Sequence, residues 1–278
     1  QDSWEFDALA GDVVSLTVET PDSELNAFVS LLNSSDGVLV SDDNGGPDTD
    51  AFLSHYQITT SGRYQAMVSA SSGTIGSYGL RVDVARGTFL EQDSGYANDA
   101  IAAANDLLKF PDGAGALTAG VVGAIMSGES LAPDVDIFSL GTLNSGNIIS
   151  LGLTLPSSST LVGKVRILDS AGNSLADLDG DPDDSMATAA ATSTGVFFAK
   201  VEAVSGEGIA GQYLLEVSIQ DDIAPQVAGV DGLPADGAVS STPAGVFSVY
   251  FDEDVFHEAV RDVNSFDLRA AGADASFY

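Results

Sequence analysis

Apolar and polar residues alternate along most of this chain in runs of four to eight positions. The run from Val13 to Val18 is one example, and Gln212 to Ile219 is another. Such alternation is typical of half-buried antiparallel strands. Gly, Asn-Ser and Asp-Gly punctuate the runs at turn-like intervals. The pattern predicts an all-β protein built from tandem jelly-roll β-sandwiches.

One segment departs from this alternation and has a helical period. Within Asp93 to Phe110, apolar side chains recur on one helical face, and Pro111 follows. The spacing predicts one short helix near 94–109. Its apolar face would contain Ile101, Ala104, Leu107 and Leu108.

The chain also repeats itself in ordered blocks. Ala10 to Glu19 aligns with Ser145 to Thr154, and Val29 to Asp43 aligns with Val165 to Asp179. Two closing hairpins follow in the same order in both copies. We therefore predict two copies of one module, residues 1–86 and 87–220, of which the second opens with the predicted helix. Because the first copy starts abruptly at a strand, we expect a stretch cut from a longer protein.

Residues 221–278 follow a different pattern. A Pro-marked linker leads to a Pro-Ala-Asp-Gly turn at 234–237 and two further strand-like runs. This order predicts the start of an immunoglobulin-like module.

These blocks resemble a known family. Asp-x-Trp-x-Phe at 2–6 corresponds to Asp-x-Asp-x-Phe at 134–138, and a leucine strand, an Asp-rich loop and a final Tyr-x-Leu strand follow in each copy. This ordered string is similar to the bacterial pre-peptidase C-terminal domain, and the tail resembles bacterial Ig-like domains of large surface proteins. The resemblance implies export, calcium-stabilised jelly rolls and an accessory role beside another domain. It does not imply catalysis.

Composition excludes several classes of partner and of chemistry. The 278 residues contain 41 acidic and 9 basic side chains, for a net charge of -32. A chain this acidic repels phosphate, which argues against nucleic acid and anionic membranes as partners. No apolar run is long enough for membrane insertion. Cysteine is absent, which excludes thiol catalysis and disulfide frameworks.

The candidate chemistry is calcium binding. Calcium prefers six to eight hard oxygen ligands, and each copy has an acidic loop at the same place in the repeat. A cation would relieve the repulsion within such loops, although a solvated acidic loop or an adaptation to high salt would give the same composition. Asp2, Asp134 and Asp136, beside strand starts, could add ligands, while a turn or cap role is as compatible. The loop candidates are Asp42, Asp43, Asn44, Asp48 and Asp50 in the first copy, and Asp177, Asp179, Asp181, Asp183 and Asp184 in the second.

Catalytic motifs find no support. Residues 206–211, GEGIAG, fit a dinucleotide pattern literally, but they lie between two strands with no helix behind them. His55 and His257 lie in different modules without metal-ligand spacing. We therefore expect no enzymatic activity. Aromatic residues at strand positions are predicted to lie in the core, namely Trp4, Tyr64, Phe197 and Phe198.

Together these features predict a non-catalytic, calcium-stabilised region of a large exported bacterial cell-surface protein, structural or adhesive. Its expected partners are neighbouring modules of the same or identical chains and an extracellular polymer, either polysaccharide or protein fibre. One alternative is the accessory substrate-binding tail of a secreted peptidase or other hydrolase. Another is a subunit of an extracellular filament or surface layer.

Overall fold

The protein is all-β, as the alternating pattern predicts. The computed structural model describes residues 1–20, 23–94, 97–112, 116–127, 133–181, 184–220, 227–233 and 246–251. The amino-terminal strands are β1 (Asp2–Ala8), β2 (Val13–Glu19), β3 (Ala27–Asn33), β4 (Val38–Asp42), β5 (Ala51–Gln57), β6 (Gly62–Ala70) and β7 (Gly79–Ala85). The central strands are β8 (Phe89–Leu90), β9 (Asn105–Asp106), β10 (Phe110–Pro111), β11 (Ala116–Ala124), β12 (Val135–Leu143), β13 (Ile148–Thr154), β14 (Val162–Leu168), β15 (Met186–Ala190), β16 (Gly195–Ser205) and β17 (Gln212–Gln220). Two further strands are β18 (Val227–Asp231) and β19 (Ser248–Phe251).

Strands β1 to β7 form two sheets that enclose one core, which we call the first sandwich. One sheet has the order β1-β6-β3-β4 and the other has the order β5-β2-β7. Alternate residues of both sheets point inward, so Leu16 of β2 and Leu31 of β3 belong to the same buried cluster. The alternating pattern therefore places the core between the two sheets.

Strands β8 to β17 form the second sandwich in the same manner. One sheet runs β10-β11-β17-β13-β15, with β8 parallel to β11, and the other runs β14-β16-β12-β9. Its core joins residues of both sheets, among them Phe138 of β12 and Leu215 of β17.

The strand orders of the two sandwiches correspond. In the first, β6 lies between β1 and β3, and in the second, β16 lies between β12 and β14. Likewise β2 lies between β5 and β7, while β13 lies between β15 and β17. The two sandwiches thus share this strand order over six strands each. The division into two copies of one module, residues 1–86 and 87–220, stays a prediction.

The predicted helix is wrong for the described residues of its segment. Residues 97–109 contain one 3-10 turn, Ile101–Ala103, and two extended residues, Asn105–Asp106, that pair in parallel with β12. Asn98 is fully buried and donates a hydrogen bond to Asp136 of β12. These tertiary contacts hold the segment extended and outweigh its helical spacing.

Three of the four aromatic residues predicted for the core are confirmed there. Tyr64, Phe197 and Phe198 are buried, whereas the prediction for Trp4 is wrong because its side chain is 55% exposed. Trp4 lies on the same face of β1 as the core residues Phe6 and Ala8, but β1 is an edge strand with a neighbour on one side only, and its first residues, Asp2 to Glu5, are all exposed.

The predicted Ig-like segment lies mostly outside the described residues. What is described there is the antiparallel pair β18 and β19. Asp183 and His257 also lie outside the described residues. Within the described ranges, no helix has the length and apolar character needed to cross a membrane.

Candidate metal centre

A group of five buried or half-buried carboxylates lies at one end of the second sandwich, and we call it the acidic cluster: Glu91, Asp93, Asp99, Asp134 and Asp136. Two of its members come from the segment after β8, one from the segment before the 3-10 turn, and two from the start of β12 and the residue before it. Ligand oxygens of Asp93, Asp99 and Asp134 all lie within 4.8 Å of one another. The cluster can therefore hold a metal ion.

Asp136 anchors the cluster to the core. Its Oδ2 accepts a 2.5 Å hydrogen bond from the Tyr213 hydroxyl, and its Oδ1 accepts a 2.9 Å bond from Asn98 Nδ2. Glu91 accepts a 2.8 Å bond from the Ala124 amide and also lies within reach of the Tyr213 hydroxyl, at 3.3 Å. Both oxygens of Asp136 therefore already accept a hydrogen bond, one from Tyr213 and one from Asn98.

The remaining members present unused oxygens. In the described part of the chain, four buried oxygen atoms of this region have no hydrogen-bond partner, and a buried polar atom without a partner is costly. Three carboxylates and one amide therefore offer hard oxygen ligands, which a cation could satisfy. The four atoms are Asp93 Oδ2, Asn98 Oδ1, Asp99 Oδ1 and Asp134 Oδ1.

The pKa values of the cluster carboxylates also favour a bound cation. Burial, followed by the charges of Asp136 and Asp99, raises the pKa of Asp93 to about 8. Burial also raises the pKa of Asp136 to about 6, against the lowering effect of its bonds from Tyr213 and Asn98. The pKa values of Glu91 and Asp134 lie well above their usual range for the same two reasons, burial and neighbouring carboxylates. A divalent cation would reverse these shifts because it stabilises the ionised form.

Space for the cluster depends on a glycine. A Cβ atom at Gly123 of β11 would lie 2.3 Å from both Glu91 Oε2 and the Tyr213 hydroxyl. Any larger residue would push these groups apart. The glycine therefore permits the Glu91 side chain to enter the end of the sandwich.

A cavity lies beside the acidic cluster. It has a volume of about 400 Å³, touches Asp134 and is lined by Ser127, Lys164, Glu202 and Glu207, among others. Asp134 is the member of the acidic cluster that lines this cavity.

The first acidic loop uses its carboxylates differently. Asp42 Oδ2 accepts bonds from the Gly45 and Phe52 amides, at 2.7 and 2.9 Å. Asp50 Oδ1 accepts bonds from the amide and hydroxyl of Thr20, while its buried Oδ2 has no partner among the described residues. The other predicted ligands, Asp43, Asn44 and Asp48, are exposed.

The second acidic loop is more exposed still. Asp177 accepts from the Asp179 and Thr188 amides, Asp179 accepts from the Asp181 amide, and Asp184 accepts from the Met186 amide. Among the described residues, neither loop brings three carboxylates together as the acidic cluster does. The calcium prediction for the loops stays a prediction.

Sequence reasoning identified Asp134 and Asp136 but missed the rest of the cluster. Asp93, Asn98 and Asp99 lie in the segment Asp93 to Phe110, whose helical spacing predicted a helix, and Glu91 lies just before it. The sequence did contain a signal for these residues. Glu91 and Asp93 are separated by one residue, and the pair Asn98-Asp99 follows shortly after them. The helix prediction obscured this signal.

Among the described residues, the first sandwich has a different arrangement at the positions aligned with Asp134, Asp136 and Tyr213. Tyr78 aligns with Tyr213, and its hydroxyl bonds Asp2, the counterpart of Asp134, at 2.8 Å. Trp4 stands where the second copy has Asp136, and it donates to the Tyr78 hydroxyl at 3.3 Å. The tyrosine is therefore common to both copies, whereas the buried carboxylate is not.

Comparisons with known proteins add no identification. No family model matches the sequence, and no curated protein matches it. A periplasmic inhibitor of g-type lysozyme from Aeromonas hydrophila is similar over 42% of this chain and 96% of its own, at 14% identity and a TM-score of 0.28. The CUB1-EGF-CUB2 region of human MASP-1/3 is similar over 78% of this chain and 91% of its own, at 12% identity and a TM-score of 0.23. Likenesses at this level carry no argument about function.

Proposed function

We propose that this chain is a calcium-stabilised, non-catalytic region of an exported cell-surface protein with a structural or adhesive role. The observation that carries the proposal is a set of four buried oxygens, at Asp93, Asn98, Asp99 and Asp134, that have no hydrogen-bond partner within the described part of the chain. Without a cation, the second sandwich buries carboxylates that must take up protons or repel one another. With one, the same residues become a cross-link between the segment after β8 and β12.

Calcium fits these ligands better than other common cations. The ligand atoms are carboxylate and amide oxygens, which are hard donors, and the acidic cluster contains neither His nor Cys. Several carboxylates on separate segments give the variable geometry that calcium accepts and magnesium does not. Extracellular modules bind calcium with dissociation constants of about 10⁻⁴ to 10⁻³ M, which suits an exported protein.

The structural role follows from where the ion would sit. A cation shared by Asp93, Asp99 and Asp134 would fasten an extended segment, poor in regular hydrogen bonds, onto the end of a sandwich. A ligand that binds only the folded state stabilises it by about 2.7 kcal/mol at a hundredfold excess over its dissociation constant. The proposal accordingly assigns the cluster to stability and places no reaction there.

Thermal unfolding tests the proposal. Millimolar calcium should raise the melting temperature of the wild-type protein relative to chelator, by roughly 2 to 4 °C for each kcal/mol gained. The double variant Asp99→Asn, Asp134→Asn should lose most of this response, because it removes two of the ligand charges.

Asp106→Asn is the matched control. Asp106 lies in the same segment, on β9, but its side chain is exposed. This variant should respond to calcium as the wild type does. A melting curve that is the same in calcium and in chelator for the wild type would refute calcium stabilisation.

A further inference from the structure

The outer face of β2 is polar and yet buried. Ser15, Thr17 and Glu19 point away from the core of the first sandwich, but their exposed fractions are 2%, 1% and 5%. An antiparallel sheet usually leaves its outer polar face to solvent. Here Arg81 of β7 and a loop of the second sandwich cover this face.

Two charged side chains of the first sandwich hold that loop. Glu19 Oε2 accepts a 2.6 Å hydrogen bond from the Ile209 amide. Arg81 Nη1 donates to the carbonyl oxygens of Gly208 and Ile209, both at 3.3 Å, and its Nη2 donates to Thr17 Oγ1 at 3.1 Å. We call these four residues, Glu19, Arg81, Gly208 and Ile209, the joint. It gives the GEGIAG run a role, because this run supplies the backbone groups that the joint binds.

One path leads from the joint to the acidic cluster through Ile125. The Gly208 amide donates to the Ile125 carbonyl at 2.8 Å, and the Ile125 amide donates to the Gly211 carbonyl at 3.1 Å. The next residue, Met126, donates its amide hydrogen to Asp134 Oδ2. Consecutive residues therefore hold the loop of the joint and a carboxylate of the cluster.

A second path runs through the segment after β8. The side chains of Glu91 and Asp93 belong to the acidic cluster, while their backbone groups contact the first sandwich. The Asp93 amide donates to Ser54 Oγ at 3.2 Å, and His55 Nδ1 lies 3.4 Å from the Glu91 carbonyl oxygen. Glu91 and Asp93 thus contribute side chains to the acidic cluster and backbone contacts to the first sandwich, so a shift of these two residues affects both.

We propose that a cation bound in the acidic cluster locks the first sandwich onto the second through these two paths. The inference rests on the proposed function and adds a regulatory role to it. Without the cation, Asp93 and Asp134 lose their shared ligand, so residues 91–93 and 125–126 loosen, and the contacts to Ser54, His55 and Glu19 loosen with them. With the cation, both segments are fixed. Such coupling is reciprocal. The factor by which the cation stabilises the joint must therefore equal the factor by which the intact joint raises the affinity for the cation.

The test is calcium affinity, measured by titration calorimetry on the whole chain. In the joint variant Glu19→Ala, Arg81→Met, neither change touches the acidic cluster, and we expect the dissociation constant to rise by at least about fivefold, the lower end of usual allosteric coupling. Ser54→Ala removes one hydroxyl from the second path and should act in the same direction even if the joint variant folds poorly. Arg63→Met is the control, because Arg63 forms an exposed ion pair with Glu5 on the first sandwich, and it should bind calcium like the wild type.

Hydrogen exchange gives the reciprocal readout. Calcium should slow exchange of the Ile209 amide in the wild type by a similar factor. If calcium binds the wild type, the joint variant and Ser54→Ala with the same affinity, the coupling is refuted while the proposed function stands. If calcium binds none of them, both are refuted.

Discussion

The Tyr213 hydroxyl donates a 2.5 Å hydrogen bond to Asp136 Oδ2, and this bond joins the two sheets of the second sandwich, since Tyr213 lies on β17 and Asp136 lies on β12. The first sandwich has the same tyrosine, Tyr78, but Trp4 takes the place of the carboxylate. One copy of the fold thus closes this end with an exposed aromatic contact. The other closes it with a buried acidic group suited to a cation.

The first prediction concerns this tyrosine. Tyr213→Phe leaves a buried carboxylate oxygen without its donor, so the free energy of unfolding in calcium should fall by about 1 to 3 kcal/mol. Tyr78→Phe is the matched change in the first sandwich, where the accepting Asp2 is exposed, and it should cost no more than about 0.5 kcal/mol. Urea unfolding measures both. Equal losses would mean that Asp136 does not depend on Tyr213.

The second prediction concerns Gly123. An alanine methyl group there would meet Glu91 and Tyr213, so Gly123→Ala should destabilise the protein by about 1 to 3 kcal/mol and weaken its response to calcium. Gly152→Ala is the control, because a Cβ atom at Gly152 meets nothing within 4 Å. Melting curves with calcium and with chelator compare the two variants. An unperturbed Gly123→Ala variant would show that Glu91 is not packed against this glycine.

The third prediction is a pH dependence of the metal-free protein. The folded state raises the pKa of Asp93 from 3.8 to about 8 and that of Asp136 from 3.8 to about 6. Between pH 3.8 and about pH 8 the folded state binds more protons than the unfolded state, so the free energy of unfolding falls as pH rises. The contribution of these groups is present in full below about pH 4 and is lost progressively toward pH 8.

Calorimetry in chelator should therefore show a melting temperature that decreases from pH 5 to pH 8. Calcium should flatten or reverse this trend, because it binds the ionised carboxylates. A metal-free melting temperature that increases over this range would show that the acidic cluster is not buried in its protonated form.

The fourth prediction separates the acidic cluster from the loops. Asp179→Asn, Asp181→Asn should keep the calcium response of the melting temperature, because in the described structure these side chains are exposed and Asp179 caps a turn. Asp93→Asn should reduce it. The opposite outcome would assign the stabilising ion to the second acidic loop.

The sequence was sufficient for the sheets but not for the segment that joins them. Strands such as β2 and β17 alternate between apolar and polar residues over most of their length, so local pattern and tertiary structure agree. Residues 97–109 have a helical spacing and also carry Asn98 and Asn105–Asp106, whose contacts with β12 hold the backbone extended. Local spacing has no information about these partners.

Only part of the acidic cluster could be predicted from the sequence, for a related reason. Asp134 and Asp136 stand out because the repeat aligns them with Asp2 and Trp4, whereas Asp93 and Asp99 precede the aligned blocks. The acidic loops were predicted as calcium sites because several carboxylates lie close together in the sequence. Burial distinguishes the two cases, because Asp93 and Asp134 are 1% and 2% exposed while Asp179 and Asp181 face solvent.

The most direct measurement is a crystal structure grown in calcium, with anomalous scattering recorded at long wavelength. The account predicts a calcium peak bonded to oxygens of Asp93, Asp99 and Asp134 at about 2.3 to 2.6 Å, with Asn98 Oδ1 close enough to join them. Crystals that contain calcium only at the acidic loops, or that contain none in the second sandwich, would contradict it.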